Sequence, residues 1–183
     1  MLPSLAALTL RTDVNLEFSD VYEARKYDQV EADLLKGKDP NWEFSETTEL
    51  LEAVSRGYAR VVKLLLEHGA DPNHEDRWGN TALINATSVG HDAIVELLLK
   101  QGADTERFGE REMTALMIAA EKRYIRIVIL LLGHGANPEI QNWGHKSAAD
   151  FTDDYEIMDL LTNPEHIERL RSMFETTLLT SLS

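Results

Sequence analysis

Apolar positions along the chain come in couplets. Leu50, Leu51, Ala53 and Val54 are followed, across Gly57, by Val61, Val62, Leu64, Leu65 and Leu66. Runs this short, apolar at helical spacing and parted by a glycine, predict two short helices packed back to back. The couplet returns as Ala82, Leu83, Ile84 and Ala86, then Ile94, Val95, Leu97, Leu98 and Leu99. It returns again as Ala115 to Ala120, then Ile125 to Leu132. Each couplet closes on a glycine, and Gly69, Gly102 and Gly135 stand 33 residues apart. A fixed period of this size marks a stacked array in which no unit buries its apolar side alone.

The residue types inside each unit follow from that stacking. Gly69 supplies the positive-φ residue that ends a helix. Thr81 and Thr114 stand at helix entrances, where a hydroxyl satisfies free backbone N–H groups. Ala86 and Ala119 are small where two helices approach closely. His91, after Gly90, reads as a structural side chain bridging adjacent loops. In the third unit Arg123 takes the Gly90 position and Tyr124 the His91 position. A positive φ there costs arginine roughly 1 kcal/mol relative to glycine. Either that loop is rearranged, or Lys122 and Arg123 are kept for contact.

The ends depart from the period. Residues 1–17 read as an arm with no clear repeat. Residues 18–46 read as a shortened unit, with one helix at Val21–Ala24, a second at Val30–Leu35, and Gly37-Lys38-Asp39-Pro40-Asn41 mirroring Gly69-Ala70-Asp71-Pro72-Asn73. Full units then occupy 47–78, 79–111 and 112–144, and 145–162 closes the array with a trimmed inter-helix loop. Shortened terminal units fit a stack whose last faces meet water. Beyond them, Asn163 reads as an N-cap with Pro164 at the first helical position. Ile167, Leu170, Phe174 and Leu178 then predict an amphipathic helix within 163–183 that covers the end of the core, with a partner-binding helix as the alternative.

Gly79-Asn80-Thr81-Ala82-Leu83-Ile84-Asn85-Ala86, with Gly90-His91 and Gly102-Ala103-Asp104, resembles the ankyrin repeat. Ala82 stands where that pattern has proline, and Ile84 where it has histidine. The likeness runs over about residues 18–162. It implies an all-α solenoid of helix-turn-helix units with β-turn fingers and a C-terminal capping helix. It also implies a concave face lined by turn tips and first helices. Carried over by register, the contact positions are Phe44, Ser55 and Arg56 in the first full unit, and Arg77, Trp78, Asn80, Ser88 and Val89 in the second. In the third they are Glu110, Arg111, Met113, Glu121 and Lys122, and Trp143 falls at the last tip. Gly144 lies one position off the Gly79 register, which leaves the shape of that last turn open. The aromatics either contact a partner or fold back to staple neighbouring turns; tryptophan and arginine favour contact.

Composition narrows the function classes. The 183 residues hold 43% hydrophobic residues and no cysteine, so a folded core is expected without disulfides or thiolate metal sites. Net charge is −14, placed at −5 in 1–46, −2 in each of 47–78 and 79–111, 0 in 112–144 and −5 in 145–183. Such a field repels phosphate backbones and disfavours nucleic acid. It suits solubility, or a partner with a basic surface. No run reaches the ~20 apolar residues of a membrane span, and the N-terminus lacks a basic signal region, so a cytoplasmic location is expected. His68 and His134, two units apart, are too distant to share a metal. No phosphate loop and no nucleophile–base pair is present, so no cofactor and no catalysis are expected.

The expected function is therefore protein–protein recognition by an array that is monomeric when unbound. Two alternatives are a stand-alone acidic antagonist of a basic enzyme or toxin, suggested by small size and charge, and a cryptic enzyme.

Overall fold

The computed structural model describes residues 20–44 and 47–181, with Phe44 and residues 175–181 as backbone alone. The expectations for the 1–17 arm and for the Leu178 side chain lie outside the described residues.

Three helix pairs form the body: α2 (Glu49–Arg56) with α3 (Ala59–Glu67), α4 (Ala82–Val89) with α5 (Asp92–Lys100), and α6 (Ala115–Glu121) with α7 (Ile125–Gly133). First helices stack on first helices, α2 on α4 and α4 on α6; second helices stack as α3 on α5 and α5 on α7. The leucine runs are buried between these rows, with Val62, Val95, Leu98, Val128 and Leu131 fully enclosed. Ala53, Ala86 and Ala119 are likewise enclosed, which lets the two rows approach. Each first helix begins on a buried threonine. The hydroxyls of Thr48, Thr81 and Thr114 accept the N–H groups of Leu51, Ile84 and Met117 at 3.3, 3.4 and 3.3 Å. A cap of this kind contributes ~1 kcal/mol.

The units are also tied loop to loop. Asn41 Oδ1 accepts the Asp71 N–H at 2.7 Å, Asn73 Oδ1 accepts the Asp104 N–H at 2.7 Å, and Glu106 Oε1 accepts the Asn137 N–H at 3.1 Å. Within each loop the Asx side chain folds onto its own backbone two residues on: Asp71 to Asn73, Asp104 to Glu106, Asn137 to Glu139. The third residue of each Gly-Ala-Asp/Asn stretch is thus a turn former.

Between paired helices the chain turns at positive φ. Gly57 and Gly90 hold +75° and +84° there, and the next unit leaves no room for a side chain. A methyl group would lie 2.9 Å from the His91 ring at Gly57 and 2.9 Å from the Tyr124 ring at Gly90. His91 thus bridges adjacent loops, as its position suggests. Arg123 keeps the same backbone, φ 58°, so the loop is not rearranged. Its side chain reaches forward to pair with Asp153 in the trimmed closing unit.

The ends differ from expectation in two ways. The shortened N-terminal unit holds one continuous helix, α1 (Val21–Leu35), in place of two. Between Ala24 and Val30 the chain has no glycine or proline to break it. Helix α1 stands against α3, in the row of second helices. Buried Glu23 accepts the Arg60 N–H at 2.8 Å and so caps the start of α3. A two-residue antiparallel ladder, β1 (Glu43–Phe44) with β2 (Thr47–Thr48), follows. At the other end, residues Ala148–Phe151 form a 3₁₀ turn rather than an α-helix, held by a Ser147–Asp150 capping box.

After that turn come α8 (Tyr155–Thr162) and α9 (Pro164–Ser181). Asn163 Oδ1 accepts the Glu165 N–H at 3.1 Å, capping α9 as expected. Helix α9 packs on α7 through buried Leu170 and Phe174. The Phe174 ring meets His134 edge-on, centroids 4.9 Å apart at 67°. Gly133 makes this possible, because a methyl group there would lie 2.3 Å from the ring.

Candidate protein-binding surface

Three turns in register line one edge of the stack. Each is closed by a pair of backbone bonds: Asp76 N–H to Asn80 O (3.0 Å) and Gly79 N–H to Asp76 O (2.9 Å) in the first; Gly109 N–H to Met113 O (3.1 Å) and Glu112 N–H to Gly109 O (2.8 Å) in the second; Asn142 N–H to Lys146 O (3.0 Å) and His145 N–H to Asn142 O (2.9 Å) in the third. Positive φ falls at Gly79, Glu112 and His145. The last turn therefore has the same backbone as the others, although Gly144 is off register. The tips carry Arg77-Trp78, Glu110-Arg111 and Trp143-Gly144.

Side chains on these tips have different fates. Asp76 Oδ1 accepts the N–H groups of Trp78 and Asn80, both at 2.9 Å, which fixes the first tip. Asn80 Oδ1 accepts the Glu110 N–H at 3.1 Å and links the first tip to the second. The Arg77 guanidinium lies 3.9 Å from the Trp78 ring centroid, an arrangement worth ~0.5–1 kcal/mol where exposed. Trp78 remains 49% exposed and Trp143 81% exposed, so neither folds back onto the array. Met113 does: it is 2% exposed, and its expected place among surface contacts is corrected. Its carbonyl closes the second turn and its side chain enters the core beside the Thr114 cap.

The other two expected arginines are engaged. Arg111 gives two hydrogen bonds to the Glu121 carboxylate, both 2.9 Å, joining the second tip to the end of α6. These bonds hold the Glu121 carboxyl below its usual range. Arg56 bonds Glu52 one turn back at 3.0 Å. Ser88, Glu110 and Lys122 are exposed. The Phe44 side chain lies outside the described residues.

A groove of about 560 Å³ opens between α2 and α4 beneath the first tip. It gathers seven of the expected contact residues: Ser55, Arg77, Trp78, Asn80, Ser88, Val89 and Glu110. Arg56, Arg111, Met113, Glu121, Lys122 and Trp143 lie outside its lining. Thr47, Leu51, Asp76 and Asn85 complete the lining and were not among the expected contacts. Leu51 reads as core from its helical position, and it is in fact 97% buried, lining the groove only with its edge. Asn85 carried a usable signal: it lies three residues before Ser88, on the same side of a helix.

Among the described residues, no group of three or more His, Asp and Glu side chains is placed to hold a metal ion. No helix among them is long and apolar enough to cross a membrane.

A family model described as ankyrin repeats, in three copies, matches residues 28–142. No curated protein matches the chain. Repeats of this kind are generally protein–protein interaction modules and typically not enzymes.

Proposed function

The chain belongs to the ankyrin-repeat family, and from that premise we propose that it is a non-enzymatic recognition protein. Its concave face of turn tips and first helices captures a partner protein with a basic surface. The array is monomeric until it binds and works in the cytoplasm. The observation that carries this reading is the groove between α2 and α4, where Trp78 stays half exposed beside Arg77, Ser88 and Glu110. An indole held open to water on a fixed turn has its ordering cost already met, which favours tight association.

The test is affinity capture with mass identification, repeated with the W78A/R111A/W143A triple variant. We expect capture of the identified partner to be abolished while the helical circular dichroism stays intact. Capture at full strength by the folded variant would overturn the concave assignment. The charge of −14 keeps one narrower version in view, an antagonist of a basic enzyme. A single basic enzyme recovered at near-stoichiometric yield selects that version, and a mixed set of proteins rejects it.

A further inference from the structure

The charges around the groove are not equally available. Arg77 is stacked on Trp78, Arg111 is held twice by Glu121, and Arg56 is held by Glu52. Each arginine expected at this face has therefore found a partner within the array, and the remaining expected cation, Lys122, lies outside the groove's lining. The Glu110 carboxylate has none among the described residues, although its backbone is fixed by the bond from its N–H to Asn80. The Asn85 amide and the Ser88 hydroxyl, both lining the groove, likewise have no side-chain hydrogen bond among the described residues. What the groove holds ready is an exposed carboxylate, an amide and a hydroxyl, next to the apolar surface of Trp78 and Val89.

We propose that the groove takes an extended segment of the partner that points a lysine or arginine at Glu110 and an adjacent apolar side chain at Trp78 and Val89. This rests on the concave-face reading above and assigns the chemistry of its ligand. An acidic ligand residue would have to take Arg77 from its indole or Arg111 from its two bonds to Glu121. A basic one displaces nothing. It gains a charge-assisted hydrogen bond at a carboxylate that has no partner among the described residues. The acidic field of the whole chain draws such a ligand in and speeds its arrival. The amide and hydroxyl at Asn85 and Ser88 stand a helical turn apart and can bond the backbone of an extended segment alongside.

The experiment uses the full chain and three pools of fluorescein-labelled seven-residue peptides. The pools are randomised at flanking positions, carry a fixed central leucine, and differ only in having lysine, glutamine or glutamate beside it. Fluorescence anisotropy should give the lysine pool at least ten-fold tighter binding than the glutamate pool. Glu110→Lys should reverse that order, with glutamine between in both proteins. Circular dichroism confirms that the variant, altered at an exposed side chain, stays folded. Absence of lysine-pool binding, equal binding of the three pools, or a preference untouched by Glu110→Lys overturns the proposal. Lysine-pool binding that survives Trp78→Ala undiminished overturns the concave reading itself, so the two failures are distinguishable.

Discussion

His68 and His134 occupy the same register two units apart, and locally they are alike. Each holds Nδ1 close to the carbonyl of the residue four back, 2.8 Å from Leu64 O and 2.9 Å from Leu130 O. Each is the C-cap of a second helix and precedes a positive-φ glycine. Yet His68 is exposed, whereas His134 is half-buried beneath Phe174 of α9. The residue before each tells why. Glu67 leaves the helix end polar and open, while Gly133 removes the side chain that would block the ring. One repeat therefore ends in water and the other in a docking site, with Gly133 standing where Glu67 does, in motifs that otherwise differ only at Asp71/Asn137 and Asn73/Glu139. Burial pushes the His134 imidazole down, with the Leu130 carbonyl and Glu96 working against it and Lys100 adding to it.

The largest way to break this contrast is Phe174→Ala. Removing a buried ring of this size costs ~3–5 kcal/mol, and the urea midpoint should fall accordingly. The His134 imidazole should then titrate at a higher pH than in the native chain, followed by its ring proton resonances. An unchanged midpoint would mean that α9 does not dock through this ring.

A smaller effect separates the loops of the same units. Gly90→Ala should destabilise by ~1–3 kcal/mol, since positive φ and the Tyr124 ring both oppose a methyl group. At the equivalent place in the third unit, Arg123→Gly relieves ~1 kcal/mol of backbone strain and gives up an exposed ion pair worth ~0–1 kcal/mol. Stability should therefore change by under ~1 kcal/mol. Equal losses in the two variants would show that the Arg123–Asp153 pair outweighs the backbone strain it is set against.

The smallest effect is in pH. A histidine whose folded pKa is depressed binds fewer protons than its unfolded form, so stability falls as pH drops through the unfolded value near ~6.5. The loss continues to the lower folded pKa and is constant below it. His134→Gln isolates the effect. That variant should flatten the slope of unfolding free energy below about pH 6.5. A slope that persists in His134→Gln assigns it elsewhere.

Much of this contrast was hidden in the sequence for a physical reason. The period reports which residues share a register, and that register placed the rows, the threonine caps and the glycine turns without difficulty. It does not report what stands opposite a side chain. Met113 reads as a turn residue because it is one; that its side chain enters the core depends on the direction in which the turn closes. Arg111 reads as an anchor, and only its distance to Glu121, ten residues on, shows that it is already held. The missing break in α1 was legible, since nothing between Ala24 and Val30 stops a helix, but analogy with the full units argued for two. Gly133 was visible too, with no indication that it makes room for a ring 41 residues later.

The rungs at Asn41, Asn73 and Glu106 give the array a mechanical character. Each joins one loop to the next along the same edge, so any bending that opens the concave side or closes it must distort them in series. Curvature is therefore set unit by unit, like the rake of a spiral stair whose treads are pinned at the rail. In the binding mode proposed above, a ligand matched to that curve would load none of the pins, while a flatter one would strain all of them together, so shape would be filtered before any side chain is read.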